Sequence, residues 1–196
     1  MKILGITEKA KGVLNLFNIS YLDKNGKKRN WEVCSRKDKE NLRRELFEGY
    51  CIPDAVMIVA THEITNELVI LKEFRVSIND YIYSFPAGII EENESLFDAG
   101  KREFKEETGL DITEFDYSRG IKPRYSSVGL TNEKVSIIYA KCKGKPDMHM
   151  RGDNEEGDIQ LIDYKEAKRI LREEKVASKT ELILENYIYK MKEMIK

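Results

Sequence analysis

The stretch that most limits how this chain can fold runs from Gly88 to Leu110. Ser95 is a favourable helix N-cap, Asp98 stands at the capping-box position, and Gly109 suits the left-handed residue that ends a helix. A helix is therefore expected from Ser95 to Thr108. At 100° per residue, Glu103, Glu106 and Glu107 share an arc of about 100°, while Asp98, Lys101 and Lys105 lie opposite and Phe97 and Phe104 form a third, apolar stripe. The acids thus do not share a face with the lysines that could neutralise them. Glu103 and Glu107 are also an i,i+4 like-charge pair, which costs about 0.2–0.5 kcal/mol on an isolated helix. Two readings fit so far. One is a solvated helix on which Arg102 pairs with Glu106. The other is an acidic ridge holding a divalent cation, for which hard oxygen ligands select Mg²⁺, Mn²⁺ or Ca²⁺ over zinc.

The flanking sequence supplies strands. Residues 14–22 and 28–35 read as a hairpin about Asn25-Gly26, and 37–49 as a charged helix ended by Pro53-Asp54. Residues 55–60 and 68–74 read as buried strands, 81–85 as a short strand leading into Pro86-Ala87-Gly88, and 113–121, 134–142 and 159–162 as further strands. Residues 144–158 form a Gly- and acid-rich loop, and helices are expected near 164–174 and 179–194. Mixed strands with few helices imply an α+β fold. The one plausible boundary lies near 50, separating a small N-terminal antiparallel sheet with a helical insertion (1–50) from the main body (51–196).

Composition narrows the function classes. With 41% apolar and 35% charged residues and a net charge of −1, whole-molecule electrostatics favour neither nucleic acid nor an anionic membrane. Cys34, Cys51 and Cys142 are widely spaced and suit unpaired thiols in a reducing compartment. His62 and His149 are isolated and read as surface residues. The N-terminus lacks the apolar run of a signal peptide, and no apolar stretch approaches the roughly 18 residues of a membrane span, so a cytoplasmic location is expected.

The spacing decides between the two readings of the helix. Gly88, Glu94, Arg102, Glu103, Phe104, Glu106, Glu107, Gly109 and Leu110 match the pattern G-x5-E-x7-R-E-U-x-E-E-x-G-U, with U bulky and apolar, at every fixed position. A chance match is on the order of 10⁻⁸ per starting point. The chain thereby resembles the Nudix hydrolases, whose motif forms a loop-helix-loop against a mixed β-sheet within an α/β/α sandwich. The resemblance implies that Glu103 and Glu107 bind metal, with Glu106 close by and the carbonyl of Ala87 completing the site. It implies that Glu94 and Arg102 are structural, Arg102 orienting the glutamates by a salt bridge, and that Gly88 permits close packing while Gly109 ends the helix. The implied cofactor is Mg²⁺ or Mn²⁺. Such cations neutralise a diphosphate and lower the pKa of a bound water.

Outside the motif the chain is similar to the ADP-ribose and ADP-sugar pyrophosphatase branch. That resemblance places Trp31 on the adenine and Arg36 against substrate, in an N-terminal sheet exchanged between the subunits of a homodimer. Leu71 to Arg75 resembles the strand that ends in a phosphate-binding arginine, here Arg75. The general base is expected on the acidic loop, where Glu155 and Glu156 are both candidates. Three departures bear on substrate choice: Ser84 stands where the branch often has Glu, Val128 where it usually has Pro, and residues 37–51 look inserted. The expected activity is Mg²⁺-dependent cleavage of ADP-ribose or a related nucleoside diphosphate sugar to a nucleoside monophosphate and a sugar phosphate. The alternatives are a nucleotide sensor that does not cut, or a pyrophosphatase for dinucleoside polyphosphates, coenzyme A or NADH.

Overall fold

The computed structural model describes residues 1–119, 121–149 and 156–194. The chain folds as two compact units.

The first unit comprises Met1–Ala55 and Lys122–Ser136. Strands β1 (Lys2–Ala10), β2 (Asn15–Leu22) and β3 (Lys28–Ser35) form an antiparallel sheet in that order, followed by helix α1 (Lys39–Glu48). The β2–β3 turn forms because the Asp23 carboxylate accepts the N–H groups of Asn25 at 2.9 Å and Lys27 at 3.0 Å, while Gly26 takes φ 76°. Asp38 caps α1 by accepting from the Asn41 amide at 2.8 Å, and Gly49 closes it with φ 71°. Phe17, Val33 and Leu42 form the core, with Ile6, Ile19 and Leu46 packed against it.

Strand β1 was not expected from the sequence, and neither was the later segment in this unit. The Cys34 amide donates to the Leu130 carbonyl at 2.9 Å, the Asp54 amide donates to the Lys134 carbonyl at 2.8 Å, and the Asp54 carboxylate accepts the Lys134 amide at 2.8 Å. Strand β9 (Arg124–Tyr125) pairs with the start of strand β10 (Lys134–Lys143). Here the side chain of Lys134, 0% exposed, contacts Glu45, while Lys37 contacts both Asp54 and Glu45 and Asn132 donates to Glu45 at 3.0 Å. Two ammonium groups thus meet two carboxylates.

The second unit comprises Val56–Ile121 and Ile137–Lys196. The larger, mixed sheet orders its strands β11-β5-β4-β10-β8: β11 (Gly157–Ile162), β5 (Leu68–Arg75), β4 (Ala55–His62), β10, then β8 (Asp111–Phe115). Strand β6 (Asp80–Ser84) pairs with β5 and β7 (Ala87–Ile89) with β4. The central strands β4 and β5 carry near-continuous apolar runs because both faces are covered. Val56, Ile58 and Ala60 of β4 and Val69 and Leu71 of β5 pack with Ala99 and Phe104 of α2 (Leu96–Thr108). Gly100 brings α2 into direct contact: a Cβ there would lie 2.3 Å from Ile138 Cδ1. On the opposite face, Val59, Leu68 and Tyr139 join Ile183 and Tyr187 of α4 (Ser178–Met194) around a cavity of about 910 Å³. The sheet therefore lies between α2 and α4. Helix α3 (Tyr164–Glu173) follows β11.

Two expectations are corrected. His62 is buried, 6% exposed, with Nε2 3.2 Å from the Gly144 carbonyl, whereas His149 is exposed as expected. Strand β8 stops at Phe115 because the Asp116 side chain accepts the Ser118 amide at 3.1 Å and turns the chain. Among the described residues no helix is long and apolar enough to cross a membrane.

Candidate functional site

Helix α2 and the segment entering it gather most of the motif. Ser95 caps α2, its hydroxyl donating to Asp98 at 2.6 Å. Gly109 ends it in the left-handed region, φ 69°, its N–H bonded to the Lys105 carbonyl at 2.8 Å. Close packing adds a second demand for glycine there, since a Cβ would lie 2.6 Å from that of Asp147.

Arg102 is the hub. Its guanidinium grips Glu94 through two bonds, Nε at 2.9 Å and Nη2 at 2.8 Å, and Nη1 donates to Glu103 at 2.8 Å and Glu106 at 3.3 Å. Nη2 also reaches the Ile89 carbonyl at 3.1 Å, tying the helix to the chain that enters it. The hydrogen bonds from Arg102 hold the Glu94 carboxyl below the usual carboxylate range. The carboxylates in turn raise the guanidinium above its ordinary value. Glu103 behaves differently: burial pushes its carboxyl up, and the pull of Arg102 does not offset it. Its carboxylate lies over Gly88, where a Cβ would sit 1.8 Å from Glu103 Cδ. Only a residue without a side chain leaves Glu103 this seat. Glu107 accepts the Ala87 amide at 3.0 Å, which fixes the first residue of β7 against the helix.

A divalent cation suits this donor set. Three carboxylates, those of Glu94, Glu103 and Glu106, contact one guanidinium, leaving a deficit of two positive charges. The donors are all hard oxygens, which select Mg²⁺- or Mn²⁺-type ions. Burial disfavours ionised Glu103, and an adjacent cation reverses that preference. Among the described residues no group of three or more His, Cys, Asp or Glu is gathered closely enough to hold a metal; Glu103 and Glu106 turn to Arg102, and Glu107 to Ala87. In this arrangement Glu103 and Glu106 bond to a guanidinium and Glu107 to a backbone amide.

The remaining candidates are carried by other elements. Arg75, at the end of β5, donates to Glu73 at 2.6 Å. Glu156 contacts the Tyr81 hydroxyl on β6, and its carbonyl accepts the Phe74 amide at 2.9 Å. Glu155 lies outside the described residues. Trp31 and Arg36 belong to the first unit. Trp31 is half exposed on β3 opposite Ile19, and Arg36 donates to Glu133 at 3.1 Å. Glu73 escaped the sequence reading, although an acid in the inward row Val69, Leu71, Glu73 was the available signal. Thiol chemistry has no support at Cys142, whose pKa burial pushes up to about 12.

Comparison with known proteins identifies the family. Residues 52–185 match the NUDIX domain, and the chain belongs to the Nudix family. An uncharacterised Nudix hydrolase of Schizosaccharomyces pombe is 34% identical over 64% of this chain and 57% of its own. ADP-sugar pyrophosphatase of Mus musculus is 30% identical over 74% of this chain and 62% of its own. ADP-ribose pyrophosphatase of Escherichia coli K12 is 25% identical over 72% and 69%. The chain thus spans about three fifths of the length of the first two relatives. The crystal structure of an ADP compounds hydrolase superimposes with a TM-score of 0.62 at 17% identity, covering 88% of this chain and 84% of that one, and shares the fold.

Proposed function

We propose that this protein hydrolyses the pyrophosphate bond of ADP-ribose or a related nucleoside diphosphate sugar, using Mg²⁺ or Mn²⁺, and releases a nucleoside monophosphate and a sugar phosphate. The observation that carries the reading is the charge deficit about Arg102, with the Glu103 carboxylate seated over Gly88. Nudix hydrolases generally use divalent metal ions. Glu103, Glu106, Glu107 and the Ala87 carbonyl would hold the ion. It supplies a polarised diphosphate and an acidified water.

The chain's own residues do the rest. Arg102 orients the glutamates, anchored by Glu94. Arg75 contacts the diphosphate, for which its planar fork is suited. Trp31 stacks on the base and Arg36 contacts the substrate, from an N-terminal sheet exchanged within a homodimer. Glu155 or Glu156 takes the proton from the attacking water, and E155Q and E156Q separate them, because only the base variant loses kcat with KM retained. The relatives named for ADP-ribose and ADP-sugars support this substrate class, and the unpaired thiols suit a reducing, cytoplasmic setting.

Incubating pure protein with Mg²⁺ and a panel of nucleotide sugars tests the proposal. AMP from ADP-ribose is expected; a folded protein that turns over none of them refutes it. A second reading, a nucleotide sensor, draws on the bonds that already engage Glu103 and Glu106 with Arg102. Tight binding of intact nucleotide in Mg²⁺ without cleavage over hours would establish it.

A further inference from the structure

We propose that Glu73 is a positioning residue that presents Arg75 to the substrate; the inference rests on the reading of Arg75 as the diphosphate contact. Along β5, Val69, Leu71, Glu73 and Arg75 alternate onto one face, and Val69 and Leu71 pack in the core that includes Ala99 and Phe104 of α2. Glu73 continues that row as a carboxylate only 7% exposed. Its Oε1 accepts from Arg75 Nη2 at 2.6 Å and also meets the hydroxyl of Ser84 on β6.

A buried carboxylate on a strand costs stability unless it is paired, and an apolar residue would pack there more favourably. What Glu73 adds is orientation. Arg75, with its side chain 56% exposed at a strand end, would sample many rotamers if free. Bonding to an immobile acceptor restricts it while engaging one of the five N–H donors of the guanidinium. The same strand end holds the backbone of Glu156 through the Phe74 amide. A cationic contact and a candidate base are thus fixed at one end of β5.

The experiment compares kcat and KM for ADP-ribose in Mg²⁺, with affinity for ADP-ribose measured by calorimetry on the same proteins. E73Q keeps the shape and both acceptor contacts, so KM rises only about threefold. E73S loses the acceptor; KM rises about tenfold and kcat changes by less than about threefold. Because the Ser84 hydroxyl touches Glu73 Oε1, the exchange variant E73S/S84E returns the carboxylate to the same point and recovers KM to within about threefold of wild type. E73S adds nothing to R75A, since the two act as one unit. The proposal is overturned if E73S raises KM equally with or without Arg75, or if the exchange variant melts like wild type but recovers nothing. If R75A leaves KM unchanged, the role of Arg75 and this inference fall together while the hydrolytic reading stands. If wild type binds ADP-ribose without cleaving it, the hydrolytic reading falls and the affinities of the same variants decide the inference. No binding at all overturns both.

Discussion

Two charged clusters in this protein are built on opposite principles. In the first unit, Lys37 and Lys134 meet Glu45 and Asp54, two positive charges against two negative, with Lys134 fully buried. In the second, Arg102 alone faces Glu94, Glu103 and Glu106. Taking charges out of water is tolerable when each finds a partner. The first cluster closes on itself and ties α1 to the segment 122–136. The second leaves negative charge uncompensated and crowded about one guanidinium, an arrangement that wastes stability unless something positive arrives from outside. On the proposed function, the balanced cluster is structural and the unbalanced one holds the metal.

The contrast can be broken in order of expected effect. E103Q/E107Q should lower kcat by about 10³-fold or more while the protein folds and melts normally, since removing a single preorganised stabilising group costs about 10²–10³; turnover near the wild-type rate would refute the metal assignment. K134M should do the reverse: it leaves Lys37 alone against Glu45 and Asp54 in the interior and destabilises by about 3–5 kcal/mol in denaturant titration, with KM of the surviving folded protein unchanged. Third, Mg²⁺ at about one hundred times its Kd should stabilise wild type by about 2.7 kcal/mol, read as a higher Tm. E103Q/E107Q should lose that increment and K134M should retain it.

The smallest effect is on acid stability. Burial raises the Glu45 carboxyl, but bonds from Lys134 and Asn132 and the charge of Lys37 outweigh it, so the net shift is downward. A depressed folded pKa contributes stability above the unfolded value and loses it as pH falls through the folded one. Wild type should therefore weaken below about pH 4.5, with a shallower acid limb in E45Q.

How much of this could be read from the chain alone varied with the physics of each part. The α2 carboxylates were legible because spacing on a capped helix fixes which side chains share a face. The buried runs at β4 and β5 were equally plain. Strand β1 was not: Lys2–Ala10 is charged and mostly exposed, so it carries little alternation. The boundary expected near 50 missed the recruitment of Lys122–Ser136, because pairing across that separation depends on backbone bonds such as Cys34 to Leu130. Lys134 opens a strand and looks like a surface lysine; only the fold reveals that it is buried. Glu73 was overlooked for a related reason, since its partner Ser84 lies on the next strand.

Gly100 has a consequence for altering the protein. A glycine inside a helix weakens that helix by about 0.5–1 kcal/mol relative to alanine, yet here it lets α2 rest against Ile138. A methyl group here would press on Ile138 Cδ1, the end of that side chain, while its next neighbours lie at an ordinary 3.7 Å. Alanine at this position would favour the helix and ask Ile138 to turn aside, leaving the chemistry of the acidic face intact. The helix that carries the proposed cation site could then be stiffened from its hydrophobic side, without touching a single polar atom.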